Sequence, residues 1–250
     1  MRSAERRPRI ASSQDTLDAG MAKPQGHPIF AAVYDRLTRS AERNFLGLHR
    51  AWLCARAGRR VLDLGAGTGA NFPYVRADAE IIAAEPDPYM LERARRRANA
   101  LGRAVAFLPD AAESLSLETA SMDTVLATLV LCTVVDPPRA LVEIRRVLRP
   151  GGRLLFLEHV RLDHPVWGRV QDVVTPLWRS LCAGCHPNRD TVAAIRRAGF
   201  AIGVLERCAF GPIPGPLFVR GEALSTSQAA EAGPGGSKGF RCEAAPRHSS

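Results

Sequence analysis

Val61-Leu62-Asp63-Leu64-Gly65-Ala66-Gly67-Thr68-Gly69-Ala70 decides how this chain folds. The run from Arg60 to Leu64 reads as a short buried strand, and glycines 65, 67 and 69 follow it at once. Glycine turns sharply and lets a ligand approach without a Cβ in the way. Glu85, 20 residues after Gly65, ends a second strand, Glu80 to Ala84, where a carboxylate can accept both hydroxyls of a ribose. Gly-Ala-Gly-Thr-Gly-Ala also satisfies the dinucleotide fingerprint, which uses an acidic residue at the same distance. The glycines alone leave the ligand class open.

Outward from this turn, strands and helices alternate. A helix is predicted from Pro88 to Ala100, with proline in its first turn. Strands follow at Ala104 to Leu108 and Asp123 to Leu131, then a helix from Pro137 to Leu148 stopped by Pro150-Gly151-Gly152. Arg153 to Glu158 is a fifth strand; helices Pro165 to Cys182 and Arg189 to Ala198 precede strands near Phe200–Glu206 and Pro216–Glu222. Ile29 to Arg56, ahead of the glycine turn, reads as one or two amphipathic helices. Such alternation predicts an α/β fold: a doubly wound, mostly parallel seven-stranded sheet with helices on both faces. The folded unit is expected at 25–224, between disordered extensions at 1–24 and 225–250; Met21 offers a second start.

Asp63 narrows the ligand. A carboxylate two residues before the first glycine suits an ammonium group and would sit badly beside a pyrophosphate. The methionine end of S-adenosylmethionine carries that ammonium, next to a sulfonium. The plainer role for Asp63 is to cap the glycine turn. Asp110-Ala111-Ala112-Glu113 follows the third strand, where acidic and backbone groups could read an adenine edge.

DLGAGTGAN, AAEPDPYM, the sequence around Asp123 to Thr133 and the RVLRPGG turn resemble the motif series of class I S-adenosylmethionine-dependent methyltransferases. The resemblance implies that Asp63, Gly65, Gly67, Gly69 and Asn71 serve the methionine part of that cofactor. It places Glu85 and Pro86 at the ribose, Asp110, Ala112 and Glu113 around the adenine, and Leu129 beneath the reacting centre. A final antiparallel strand belongs to the same pattern. Thr128 to Cys132, Leu157-Glu158-His159-Val160 and the stretch from Trp167 to Arg189 are similar to a narrower group that includes alkyl thiol S-methyltransferases. They are also similar to ubiquinone/menaquinone and phospholipid N-methyltransferases. Animal thiol methyltransferases carry an N-terminal membrane anchor, and none is read in this sequence. Tyr34-Asp35 resembles a lid segment of related enzymes.

For the acceptor, Val166, Trp167, Val170, Val173, Val174, Leu177, Trp178 and Leu181 recur at helical spacing. They serve either core packing or an apolar roof over a small hydrophobic substrate. His159, beside Glu158 at the end of the fifth strand, is the candidate proton acceptor; a packed histidine is the alternative. Cys182-Ala-Gly-Cys185 lacks the second pair or matching histidines that zinc would need, so no metal is expected and these cysteines read as structural. A nicotinamide-dependent oxidoreductase and a cofactor-binding protein without turnover are the competing functions.

The net charge of +9 does not point to nucleic acid. Of 34 basic residues only Lys23 and Lys238 are lysines, and the arginines are spread along helices. Asp136-Pro137-Pro138-Arg139 lacks the aromatic of a base-flipping motif. The longest apolar run, Thr124 to Val135, is too short to span a bilayer, leaving contact with a membrane surface open. Scattered cysteines predict a reducing, cytoplasmic setting.

Overall fold

The computed structural model describes Arg36 and residues 38–209, 217–225 and 241–242. The expected extension at 1–24, the Tyr34-Asp35 segment and most of 225–250 lie outside these residues. A π-helical turn, Glu42–Leu46, runs into α1 (Gly47–Cys54). The elements that follow are β1 (Arg60–Leu64), β2 (Glu80–Ala84), α2 (Pro88–Ala100), β3 (Val105–Leu108), β4 (Met122–Thr128), α3 (Pro137–Val147) and β5 (Leu148–His159). The chain continues through α4 (Pro165–Leu181), α5 (Thr191–Arg197), β6 (Phe200–Cys208), β7 (Phe218–Ser225) and a two-residue strand, β8 (Arg241–Cys242).

The sheet order is β3-β2-β1-β4-β5-β7-β6-β8. It is mixed and has eight strands, against the seven expected: β7 runs antiparallel to both β5 and β6, and β8 pairs parallel with β6. The order reverses between β1 and β4, and open α/β sheets bind ligands at such a switch point.

Successive strand residues face opposite sides, and both sides are covered. Leu62 and Leu64 of β1, Val125 and Ala127 of β4, and Leu154 and Phe156 of β5 pack with α3 and α5. Val61, Leu126, Leu155 and Leu157 pack on the other face with α1 and α2. Helix starts are fixed locally: the Asp87 carboxylate accepts from the Tyr89 and Met90 N–H groups ahead of α2, and Asp136 accepts from Arg139 N–H ahead of α3.

Two boundaries differ from expectation. β4 ends at Thr128 because Leu129 adopts a left-handed φ of 60°, turning the chain out of the sheet. β5 starts at Leu148 because that residue already pairs with Met122, across a register shift between Met122 and Thr124.

Helix α4 presents an unusual face. Gly168, Gln171 and Thr175 are its buried residues, whereas Val166, Trp167, Val170, Val173, Val174 and Leu177 are exposed. The apolar recurrence is therefore not core packing. Gln171 anchors the helix by accepting from Leu162 N–H at 2.9 Å and donating to the carbonyls of Val160 at 3.2 Å and Pro187 at 3.0 Å.

Candidate active site

A cleft of about 660 Å³ opens at the carboxyl ends of the strands, over the switch point. Each strand end contributes: Gly65 to Thr68 after β1, Glu85 to Asp87 after β2, Ala111 to Glu113 after β3, Thr128 to Val130 at the end of β4, and His159 of β5. Arg50 of α1, Phe218 of β7, Cys132 of the loop after β4, and Trp178, Leu181, Cys182 and Cys185 from α4 and the segment after it also line the cleft. A second depression, about 610 Å³, lies at the opposite end of the strands. Its Arg60, Arg149 and Arg153 are tied to Glu80, Asp123 and Glu222.

Of the residues singled out in the sequence, Gly65, Gly67, Glu85, Pro86, Ala112, Glu113, Leu129 and His159 line the cleft. Gly67 has φ 56°, and a Cβ there would meet nothing nearer than the Gly65 carbonyl oxygen at 4.0 Å. The Glu85 carboxylate is oriented by the N–H groups of Gly67 and Asp87, both at 2.9 Å, and burial raises its pKa. Each carboxylate oxygen keeps a lone pair beyond those bonds.

Asp63, Gly69, Asn71, Asp110 and Glu158 are not among the residues that line the cleft. Alternation along β1 sends Asp63 to the α1 side, where it is fully buried. Its Oδ1 accepts from Asn71 Nδ2 at 2.7 Å, and the same nitrogen donates to Thr128 Oγ1. Arg50 donates to Asn71 Oδ1 at 2.8 Å and is itself paired with Glu42. Asp63 Oδ2 has no partner among the described residues, and burial pushes its pKa up to about 6 against the pull of Asn71 and Arg50. Gly69 faces Phe72, whose ring a Cβ would strike. Asp110 is occupied by the N–H and hydroxyl of Ser116, at 2.7 and 2.6 Å.

Glu158 and His159 point to opposite faces of β5. The Glu158 carboxylate accepts the N–H groups of Val130, Leu131 and Cys132 at 3.0, 2.9 and 3.1 Å. It shapes the loop beneath the cleft instead of entering it; burial pushes its pKa up to about 7, opposed by these donors. Arg189 holds the same loop from outside, donating to the carbonyls of Leu131 and Val134.

His159 does reach the cleft, its ring 4.5 Å from that of Phe218. Its Nδ1 lies 3.6 Å from Cys132 Sγ and 3.6 Å from Cys185 Sγ, and the two sulfurs are 3.5 Å apart. The hydrogen bond shared with Cys132, aided by the imidazole, holds the Cys185 thiol below the ordinary thiol range and raises that of Cys132. Spacing in the sequence gave no sign of this triangle, because its members come from three separate segments. Arg50, buried in the chain of polar groups behind the glycine turn, was also missed; a lone arginine on an otherwise apolar helix face is the available signal.

Residues 62–156 match the family described as Methyltransferase domain. Human thiol S-methyltransferase TMT1B is 36% identical over 152 residues, 59% of this chain and 62% of that protein. Human thiol S-methyltransferase TMT1A is 32% identical over 177 residues, 69% of this chain and 72% of that protein. The chain belongs to the methyltransferase family. The match to TMT1B spans less than two thirds of that relative's length. Among solved structures, a SAM-dependent methyltransferase of Thermotoga maritima aligns with 78% of this chain and 96% of its own, at 25% identity and a TM-score of 0.61. The methyltransferase fold accounts for the strand order and for a cleft at the β1/β4 switch point.

Proposed function

We propose that this protein transfers the methyl group of S-adenosylmethionine to the sulfur of a small apolar thiol. The observation that carries the reading is an apolar cleft at the switch point of a chain 32% identical to a human thiol S-methyltransferase over 69% of its length. Two features of the site fit the donor. An unpartnered, buried carboxylate oxygen, Asp63 Oδ2, lies behind the glycine turn as a counter-charge for a cationic tail. Open space at Gly67, beside the oriented Glu85 carboxylate, leaves room for a ribose against the backbone. Gly65, Gly67 and Glu85 would hold the donor directly, with Asp63 and Asn71 acting from behind; Ala112 and Glu113 would border the adenine.

When bound, the donor supplies an electrophilic methyl carbon on a sulfonium. The protein's part is to align an acceptor and exclude water. Leu129, Val130, Trp178, Leu181 and Phe218 give that end of the cleft an apolar wall. A thiol acceptor needs little base, being a few per cent thiolate near pH 7. His159 stands at the same wall. Cys54, Cys132, Cys182, Cys185 and Cys208 carry free thiols, which supports a cytoplasmic, reducing setting. Among the described residues no helix is long and apolar enough to cross a membrane.

The test is calorimetric titration of the full chain with S-adenosylmethionine and separately with NAD, followed by methylation assays on an alkyl thiol, a phospholipid amine and a quinol. Donor binding with thiol turnover is the expected result. Turnover of the amine or quinol alone would move the acceptor to nitrogen or carbon, and binding of NAD alone would overturn the reading.

A further inference from the structure

We propose that Cys132, Cys185 and His159 form a site for a zinc-class divalent metal ion, which holds the acceptor as its thiolate. The inference rests on the thiol reading above for its substrate but not for its metal. Thiolate and imidazole donors select zinc-like ions over magnesium or calcium.

The triangle has the dimensions of such a site. A tetrahedral ion bonded at about 2.3 Å to sulfur and about 2.05 Å to nitrogen sets its sulfurs about 3.8 Å apart and each sulfur about 3.55 Å from the nitrogen. A trigonal planar ion would spread the sulfurs to about 4.0 Å. The observed edges are 3.5 Å between sulfurs and 3.6 Å from each sulfur to the same nitrogen, Nδ1. They fit an ion lying out of the plane of its three donors, with a fourth position free. All three residues line the cleft, so a substrate sulfur can reach the fourth position. Three protein ligands and an open position are the pattern of catalytic zinc, Cys₂His included.

Each donor is also held in place by its backbone. Cys132 N–H is bound to Glu158, and its carbonyl accepts from His186 N–H at 2.7 Å. Left-handed Ala183 and Gly184, at φ 45° and 83°, swing Cys185 inward, and its N–H bonds the Cys182 carbonyl. The His159 carbonyl accepts from Thr191 Oγ1. On binding, the acceptor S–H bond breaks, the sulfur pair forms the metal–sulfur bond, and the proton passes to water.

The test uses the full chain and cobalt(II) as a spectroscopic substitute. Titration is expected to give one cobalt per chain with a tetrahedral spectrum and thiolate-to-cobalt charge transfer. That spectrum should be lost in Cys132→Ser, Cys185→Ser and His159→Ala and kept in Cys182→Ser. Should those variants fold poorly, wild-type protein serves: zinc should slow alkylation of Cys132 and Cys185. Adding an alkyl thiol to the cobalt form, without methyl donor, should shift the charge-transfer band. A wild-type chain that takes up neither cobalt nor zinc, or a band that ignores added thiol, overturns the proposal. Thiol methylation by metal-free protein at an undiminished rate also overturns it while leaving the thiol reading intact. A cobalt site that responds to thiol in a protein methylating only amines supports the metal site and removes the thiol reading.

Discussion

Replacing Gly67 with alanine separates what the glycine turn does for the fold from what it leaves for the ligand. Gly67 sits at φ 56°, where an L residue costs about 1–2 kcal/mol. The stiffer unfolded chain offsets about 0.4–1 kcal/mol of that. The new methyl meets no side chain, so the net loss of stability is about 1 kcal/mol. Gly65 behaves differently: its φ is 57°, but a Cβ there would run into Val130. Overpacking adds about 1–3 kcal/mol, bringing Gly65→Ala to about 3 kcal/mol. For binding the order reverses, because the Gly67 methyl enters the space meant for the donor. A one-carbon overlap at about 1–3 kcal/mol weakens the donor Kd by about 5- to 150-fold. Urea unfolding reads the first quantity and calorimetry the second. A Gly67→Ala variant that binds S-adenosylmethionine with wild-type affinity would refute the assignment of this space.

Glu158→Ala strands three buried N–H groups and should cost about 3–5 kcal/mol in urea unfolding, with Glu158→Gln milder; a loss under about 1 kcal/mol would refute its role as the anchor of the loop. Burial raises the Asp63 pKa from 3.8 to about 6, so the folded chain holds this proton more tightly than the unfolded one. Its contribution to stability is therefore full below about pH 4 and lost as the pH rises through about 6, roughly 3 kcal/mol in all. Asp63→Asn should flatten that slope, and an unchanged slope would contradict the burial argument. Gln171→Leu removes three hydrogen bonds that hold α4 to Val160, Leu162 and Pro187, about 3 kcal/mol of anchoring. It should raise the KM for the acceptor and leave the donor Kd unchanged; equal damage to both would show that α4 does not belong to the acceptor side.

Where signals are local, the sequence was enough. β1, β2 and α2 occupy the expected residues, since an apolar run ending in glycines and an Asp87-Pro88 helix start depend only on near neighbours. The side of the cleft along the glycine turn was legible for the same reason: Gly65, Gly67 and Glu85, which line it, follow directly from strand ends. Which face a strand residue takes was harder. Asp63 and Glu158 sit on alternating strands covered on both sides, and their parity sends them behind the cleft and beneath it. The inverted polarity of α4 could not be read either, because its apolar period looks the same whether it faces inward or outward. Least visible was the grouping of Cys132, His159 and Cys185. The Cys182-Ala-Gly-Cys185 spacing drew attention to a local pair, while the left-handed turn at Ala183 and Gly184 aims Cys185 at a loop 53 residues earlier.

The place of β7 between β5 and β6 has a consequence for how the protein is made. β5 is complete at His159, yet the strand that covers its edge begins at Phe218, about sixty residues later. At roughly 5–20 residues per second a ribosome leaves the Leu154–Leu157 edge unpaired for several seconds. β6 emerges first, but in the finished sheet it pairs with β7 and not with β5. The nascent chain thus exposes an apolar edge of the kind that recruits other strands. Phe218, a wall residue of the cleft, arrives with the same strand. The step that seals the sheet is also the step that finishes the binding site, so a chain released early would be both sticky and inert.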